Sequence, residues 1–221
     1  MVEGEARLYW TRDRHHVLVF GDGAFGTERS VLAGSPPPDP LLGAVFQWQN
    51  AANLFAGYGH DLSPAWRAEL QGSVGYDRFL LLVRRLTVGP GIRWEPWDAP
   101  TTDGHLGLGV LAEQEISNAE MITGEDPLRN RVRGSTYASV GWTPSDVVTL
   151  LATAYAQPVL TDPTDLRVLG EIDLEVALGG GFSTGFEIEA RYDSKPPETV
   201  DSIPALSRWN GGIEQTLEWT F

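Results

Sequence analysis

Apolar and polar residues alternate with period two along most of the chain. From Leu166, the residues Val168, Gly170, Ile172, Leu174, Val176 and Leu178 share one face, and Arg167, Glu171, Asp173 and Glu175 share the other. Beyond Gly179-Gly180-Gly181, Phe182, Thr184, Phe186, Ile188, Ala190 and Tyr192 alternate with Ser183, Glu187, Glu189, Arg191 and Asp193. The same register runs through segments 66–76, 106–112, 132–142 and 209–221. No window keeps apolar residues at helical spacing for three turns, so the pattern predicts strands throughout. Roughly 11 strand-like runs of about 9–15 residues are visible, long enough to cross a bilayer when tilted.

Turn chemistry separates the runs at Arg12-Asp13-Arg14, Ser63-Pro64, Asp98-Ala99-Pro100, Pro144-Ser145-Asp146 and the Gly179 triplet. Longer polar stretches fall between them, near 28–40, 118–130, 161–165 and 195–204. Tight turns alternating with longer connections suit a transmembrane barrel, with short turns on one side and loops on the other. Single-chain bacterial barrels have even strand numbers, which predicts twelve strands, with ten as the fallback. The expected fold is therefore all-β, a single antiparallel up-and-down transmembrane β-barrel formed by one domain over residues 1–221.

Composition changes this picture in two ways. A net charge of −14 gives a field of the wrong sign for a nucleic-acid binder. The absence of Cys excludes a disulfide scaffold, a thiolate metal site and a Cys nucleophile. The mean hydropathy of −0.18 is that of an ordinary soluble protein, but a polar lumen dilutes the average of a barrel just as far. The opening Met-Val-Glu-Gly-Glu-Ala-Arg has neither a basic nor an apolar stretch and is not read as a signal peptide.

A soluble β protein buries its apolar face, and a membrane barrel turns the same alternation inside out. Tryptophan placement favours the second. Trp10, Trp66, Trp94, Trp97, Trp142 and Trp219 all lie within a few residues of a short turn or of the final strand, and with Phe221 they predict an interfacial girdle. Trp48, in mid-run, does not fit it. The polar face carries Glu69, Glu113, Glu115, Glu171, Asp173, Glu175, Glu187, Glu189, Glu214 and Glu218 beside Arg85, Arg93, Arg131, Arg133, Arg167 and Arg191. Such groups are costly in lipid, whereas in a narrow lumen they pair and hydrate, so all are expected to face inward. The location that follows is the bacterial outer membrane, with its lipids as partners.

Three segments resemble a known family. Arg85-Leu86-Thr87-Val88-Gly89-Pro90-Gly91-Ile92-Arg93 is similar to an Arg-x-x-x-Gly-x-Gly-x-Arg/Tyr strand of an uncharacterised family of salt-induced outer-membrane β-barrel proteins. Gly107 to Glu115, a Gly-rich strand ending in paired Glu, and Arg191-Tyr192-Asp193-Ser194-Lys195-Pro196-Pro197 before a last strand ending in Phe complete the match. The resemblance covers residues 55–221 and implies an outer-membrane location but no activity. Trp10-Thr11-Arg12-Asp13 stands where that family has a Gly-Asn-Thr hairpin. The ending Leu217-Glu218-Trp219-Thr220-Phe221 also resembles the signal read by the barrel assembly machinery, which is the expected partner of the final strand.

Candidate chemistry is sparse. The four His (His15, His16, His60, His105) form no His-x-x-x-His or Glu-x-x-His set and read as turn or rim residues, so no metal and no cofactor is expected. Glu115-Ile116-Ser117-Asn118-Ala119 resembles the His-Ile-Ser-Asn-Ala strand of lipid A deacylases, but the base position holds Glu115, and only Ser117 carries over as a catalytic alternative. Glu171-Asp173-Glu175 and Glu187-Glu189 are neighbours across the Gly179 hairpin, either as a cation-attracting stripe or, with the interleaved Arg, as a salt-bridged wall. Gly89 and Gly91 point into the lumen in this register, making room or allowing a bend. The sequence predicts a structural or narrow-channel barrel with a charged lumen. A lipid-modifying enzyme and a soluble lipocalin-like binding barrel are its alternatives.

Overall fold

A computed structural model of the protein describes residues 2–25, 28–31, 44–47, 50–78, 80–124, 126–200 and 205–219. Their strands are β1 (Val2–Arg12), β2 (His15–Phe25), β3 (Glu28–Val31), β4 (Ala44–Gln47), β5 (Asn50–Ser63), β6 (Trp66–Asp77), β7 (Leu82–Ala99), β8 (Thr102–Ser117), β9 (Leu128–Ser145), β10 (Val148–Val159), β11 (Asp162–Gly179), β12 (Phe182–Asp193) and β13 (Trp209–Trp219). Eleven of them form one antiparallel sheet in chain order, β1-β2-β5 through β13. The count differs from the expected twelve and from the fallback of ten. β3 and β4 pair only with each other, and Glu28↔Gln47 continues the register of Phe25↔Asn50, so they extend the β2–β5 hairpin beyond the sheet. No helix here is long and apolar enough to cross a membrane, which says nothing of a β-barrel.

Short turns gather at one end of the sheet. Asp13 adopts φ +54 between β1 and β2, and Gly179, Gly180 and Gly181 adopt φ +88, +64 and +81 between β11 and β12, conformations that glycine reaches without steric cost. The opposite end carries residues 118–127 and 194–208 and the β3–β4 extension. The predicted polar stretch 161–165 is not a loop. β10 and β11 meet there in a two-residue turn, so Thr164 and Asp165 belong to a strand. At this loop end Ile122 bridges Thr199, and Thr123 N donates to Glu198 O, tying the two long loops together.

The sheet curls. Arg191 of β12 reaches Asp77 of β6 at 3.8 Å, across strands that are not neighbours in the sheet. Cross-strand register places Arg67, Arg93, Gly107, Tyr137, Tyr155, Leu169, Arg191 and Asn210 on one continuous inner row. Gly89 lies on this inner side, where a Cβ would stand 1.8 Å from the Val110 carbonyl oxygen. Gly89 therefore has no room for a side chain, beside a proline that interrupts an interior strand. The outer face carries Leu70, Leu86, Val88, Leu108, Val132, Ile172, Ile188 and Leu217, all exposed. The buried apolar residues Leu81, Leu82, Leu111, Ile122 and Val159 collect at the loop end instead.

Candidate functional site

Inside the curl the polar residues divide into three groups. At the loop end, Arg133 is 1% exposed and spends its whole guanidinium: Nε donates to Glu113 Oε1 (3.0 Å), Nη2 to Asp165 Oδ1 (3.0 Å) and Nη1 to Gln157 O (2.9 Å). Arg167 donates to Glu113 and Glu115 and, from Nε, to Asp193 Oδ2 at 3.0 Å. Arg85 Nη2 donates to Glu115 Oε2 at 2.8 Å, and Arg131 lies 3.4 Å from Asp165. Four guanidinium groups thus meet four carboxylates drawn from β7, β8, β9, β11 and β12. Arg167 reaches from β11 to β8 past two intervening strands. The layer links these five strands at the loop end.

Below it lies a cavity of about 600 Å³, with Leu18, Phe55, Gln71, Tyr155, Gln157 and Arg191 among its walls. Tyr137 crosses the wall to donate to Glu69, whose other oxygen accepts from Arg93. Tyr137 lies flat over Gly107, where a Cβ would stand 1.9 Å from the ring, so this glycine is the space that the tyrosine occupies. Nearer the turns, His16 Nε2 sits 2.7 Å from Asp61, which accepts from Arg67 Nε at 2.6 Å, while the Tyr9 hydroxyl lies 3.2 Å from His16 Nδ1.

The third group is acidic. Glu171 faces Glu189, and Asp173 faces Glu187, which in turn faces Glu214. Carboxylate oxygens of Glu171, Asp173 and Glu187 come within 4.8 Å of one another. Glu175 is on the same inner side, and Arg191 reaches Glu189 at 3.2 Å. Lumen charge is therefore sorted along the axis, with pairing concentrated at the loop end and carboxylates on the β11–β13 wall. At the loop end, Asp162 begins β11 just after the β10–β11 turn, beyond the roughly ten residues of that strand that a bilayer would hold. Hydrogen bonds from Lys195 and Thr164 hold its carboxyl down to about 2.

The register puts the sequence-predicted polar residues as follows. Glu69, Arg85, Arg93, Glu113, Glu115, Arg131, Arg133, Arg167, Glu171, Asp173, Glu175, Glu187, Glu189, Arg191 and Glu214 share the inner side. The side chain of Glu218 and all of Phe221 lie outside the described residues, as does Trp48. Trp10, Trp66, Trp94, Trp97, Trp142 and Trp219 are exposed, close to the short turns. A register shift between Trp94 and Trp97 puts both rings on the outer face, Trp97 lying over Gly104. Trp66 stacks on Trp94 at 6.0 Å, and Phe182 on Trp219 at 5.3 Å. Ser117 is 3% exposed and its hydroxyl has no hydrogen-bond partner among the described residues, while the neighbouring Glu115 is held by two arginines.

Asp165 and Tyr137 are lumen groups that the sequence reading does not name, and Asp193 stands on its polar face but outside its set of lumen charges. Asp193 and Tyr137 carried a signal, since both share parity with polar-face residues. Asp165 did not, because it was assigned to a loop.

The family model described as a protein of unknown function, DUF481, matches residues 44–203. The chain belongs to the DUF481 family. The match spans β4 to the β12–β13 connection and so contains every residue of the ion-paired layer. No curated protein matches the chain. A solved structure described as a NanC porin in a rhombohedral crystal form is similar, with a TM-score of 0.49 and 8% identity over 99% of this chain and 98% of that one.

Proposed function

We propose that this protein is an outer-membrane β-barrel with a structural role, whose lumen is a blind, charge-lined cavity rather than an open pore. The observation that carries the reading is the inversion of sides. Leu108 is 60% exposed and Leu217 72%, whereas Arg133 is 1% and Glu115 2%. Water would favour the opposite arrangement, and a bilayer favours this one. The exposed tryptophans near the short turns suit a membrane–water interface, where amphipathic rings prefer to lie. Outer-membrane lipids are then the partners of the apolar face, and the barrel assembly machinery the partner of the final strand. The four-by-four ion-pair layer supports a closed lumen over the narrow channel. No arrangement around Ser117 supports the deacylase chemistry.

The test is behaviour in detergent. The folded chain is expected to need detergent and to migrate faster on gels before heating than after. A chain that stays folded and monodisperse without detergent would sink the membrane reading and favour a soluble binding barrel.

A further inference from the structure

We propose that the cavity inside the curl binds an uncharged amphipathic small molecule, with an apolar ring at one end and hydroxyl or amide groups at the other. The inference goes beyond the structural role and needs only the cavity, so it stands apart from the membrane reading. A volume of about 600 Å³ lies within the roughly 300–1,000 Å³ of sites that hold small ligands. Part of the wall is apolar where alternation elsewhere puts polar groups inside. Leu18 pairs with Gly57 and Gly57 with Gln71, while Phe55 pairs with Ser73, so Leu18 and Phe55 stand on the inner side. A Cβ on Gly57 would lie 3.1 Å from the Phe55 ring, which therefore leans over this glycine as it lines the cavity. Both apolar side chains are only half-buried. Their remaining surface faces the cavity's water, and an apolar group of a ligand would displace that water with a gain in free energy.

The polar part of the wall decides the charge of the ligand. Arg93 pairs with Glu69, Arg67 with Asp61, Arg85 and Arg167 with Glu115, and Arg191 with Glu189 and Asp77. Every arginine, aspartate and glutamate lining the cavity thus has an ion-pair partner. A charged ligand would have to break such a pair or remain uncompensated, and either is costly away from bulk water. The neutral groups are in the opposite state. The side chains of Gln71, Tyr155 and Gln157 line the same space and make no hydrogen bond among the described residues. Two amides and a phenol can each donate and accept, which complements hydroxyl or amide groups. A site that satisfies its own charges and leaves its neutral groups uncommitted selects neutral polar molecules.

The test is titration calorimetry of the folded protein, in whichever medium keeps it monodisperse, against the same medium without protein. The probe is para-nitrophenyl β-glucoside, which joins an apolar ring to hydroxyls and carries no net charge. It should bind saturably at one site per chain, about tenfold tighter than methyl β-glucoside, which lacks the ring. It should also bind more tightly than para-nitrophenyl phosphate, which keeps the ring and adds charge. Phe55→Ala should weaken the glucoside by about tenfold, and Gln71→Leu combined with Gln157→Leu should weaken it too. No saturable binding, binding of the phosphate as tight as that of the glucoside, or an affinity unchanged in both variants would each overturn the proposal. The comparison of probes on the wild type needs no variant to fold. Neither readout depends on a requirement for detergent, so failure of the ligand site is distinguishable from failure of the membrane reading.

Discussion

Arg133 is a charged side chain held almost wholly away from water. Removing a member of a buried ion-pair set leaves uncompensated charge, which is worse than never having had the set. Arg133→Met, which keeps most of the aliphatic bulk, is expected to destabilise the fold by about 3 kcal/mol in equilibrium unfolding, because Asp165 loses its closest donor and Glu113 one of its two. The glycines offer a sharper contrast. At Gly89 a methyl group would stand 1.8 Å from a backbone oxygen, and at Gly170 it would meet nothing within 4 Å. Gly89→Ala should lower the unfolding midpoint clearly, since backbone cannot swing aside as a side chain can. Gly170→Ala should leave it unchanged or raise it slightly, because alanine restricts the unfolded chain. Both glycines were legible as strand positions. The collision that makes one of them obligatory depends on the path of β8, which no local pattern encodes.

The strands carry the two-sided logic, and it was the most legible feature. Period-two alternation places Leu108 outward and Gln71 inward without knowledge of which strands pair. Leu108→Arg should cost about 2–4 kcal/mol when the protein is refolded into lipid vesicles and unfolded with guanidinium, as for charges on the lipid face of other barrels. Gln71→Arg, into the hydrated cavity, should change the same midpoint little; equal effects from the two would argue against a lipid-facing outer surface. Element boundaries were less legible where turn chemistry was ambiguous. Residues 161–165 are polar and contain Pro163, so they read as a loop, yet Asp165 is 5% exposed and completes the Arg133 pairing. A proline at a strand's start costs no ladder hydrogen bond that the turn needs, which is why the strand survives it.

For the whole molecule, the consequence of the ion-pair layer is electrical. The wild-type protein in planar bilayers should show no steady unitary current, since the layer joins β7, β8, β9, β11 and β12 across the lumen. Glu113→Ala combined with Arg133→Ala removes one charge of each sign, keeps the balance, and should produce resolvable steps. Open-channel current in the wild type would show that the layer does not seal the lumen, and would favour the narrow-channel role. The acidic wall of Glu171, Asp173, Glu187 and Glu214 would then bias any such current toward cations, measurable as a reversal potential in a salt gradient.

The sequence by itself determined the strand character, the inner and outer sets of side chains and the placement of the tryptophans, because each follows from a period of two and from nearby turn residues. Only the tertiary structure decided which charges meet. Arg167 finds Glu113 and Glu115 across 54 and 52 positions of chain, and that depends on the curl of the sheet, a property of all its strands together. Among the described residues it also set eleven strands in one sheet, beside the twelve expected, with the first and last running the same way. Alternation specifies the face of each residue, but it carries no information about how a sheet closes.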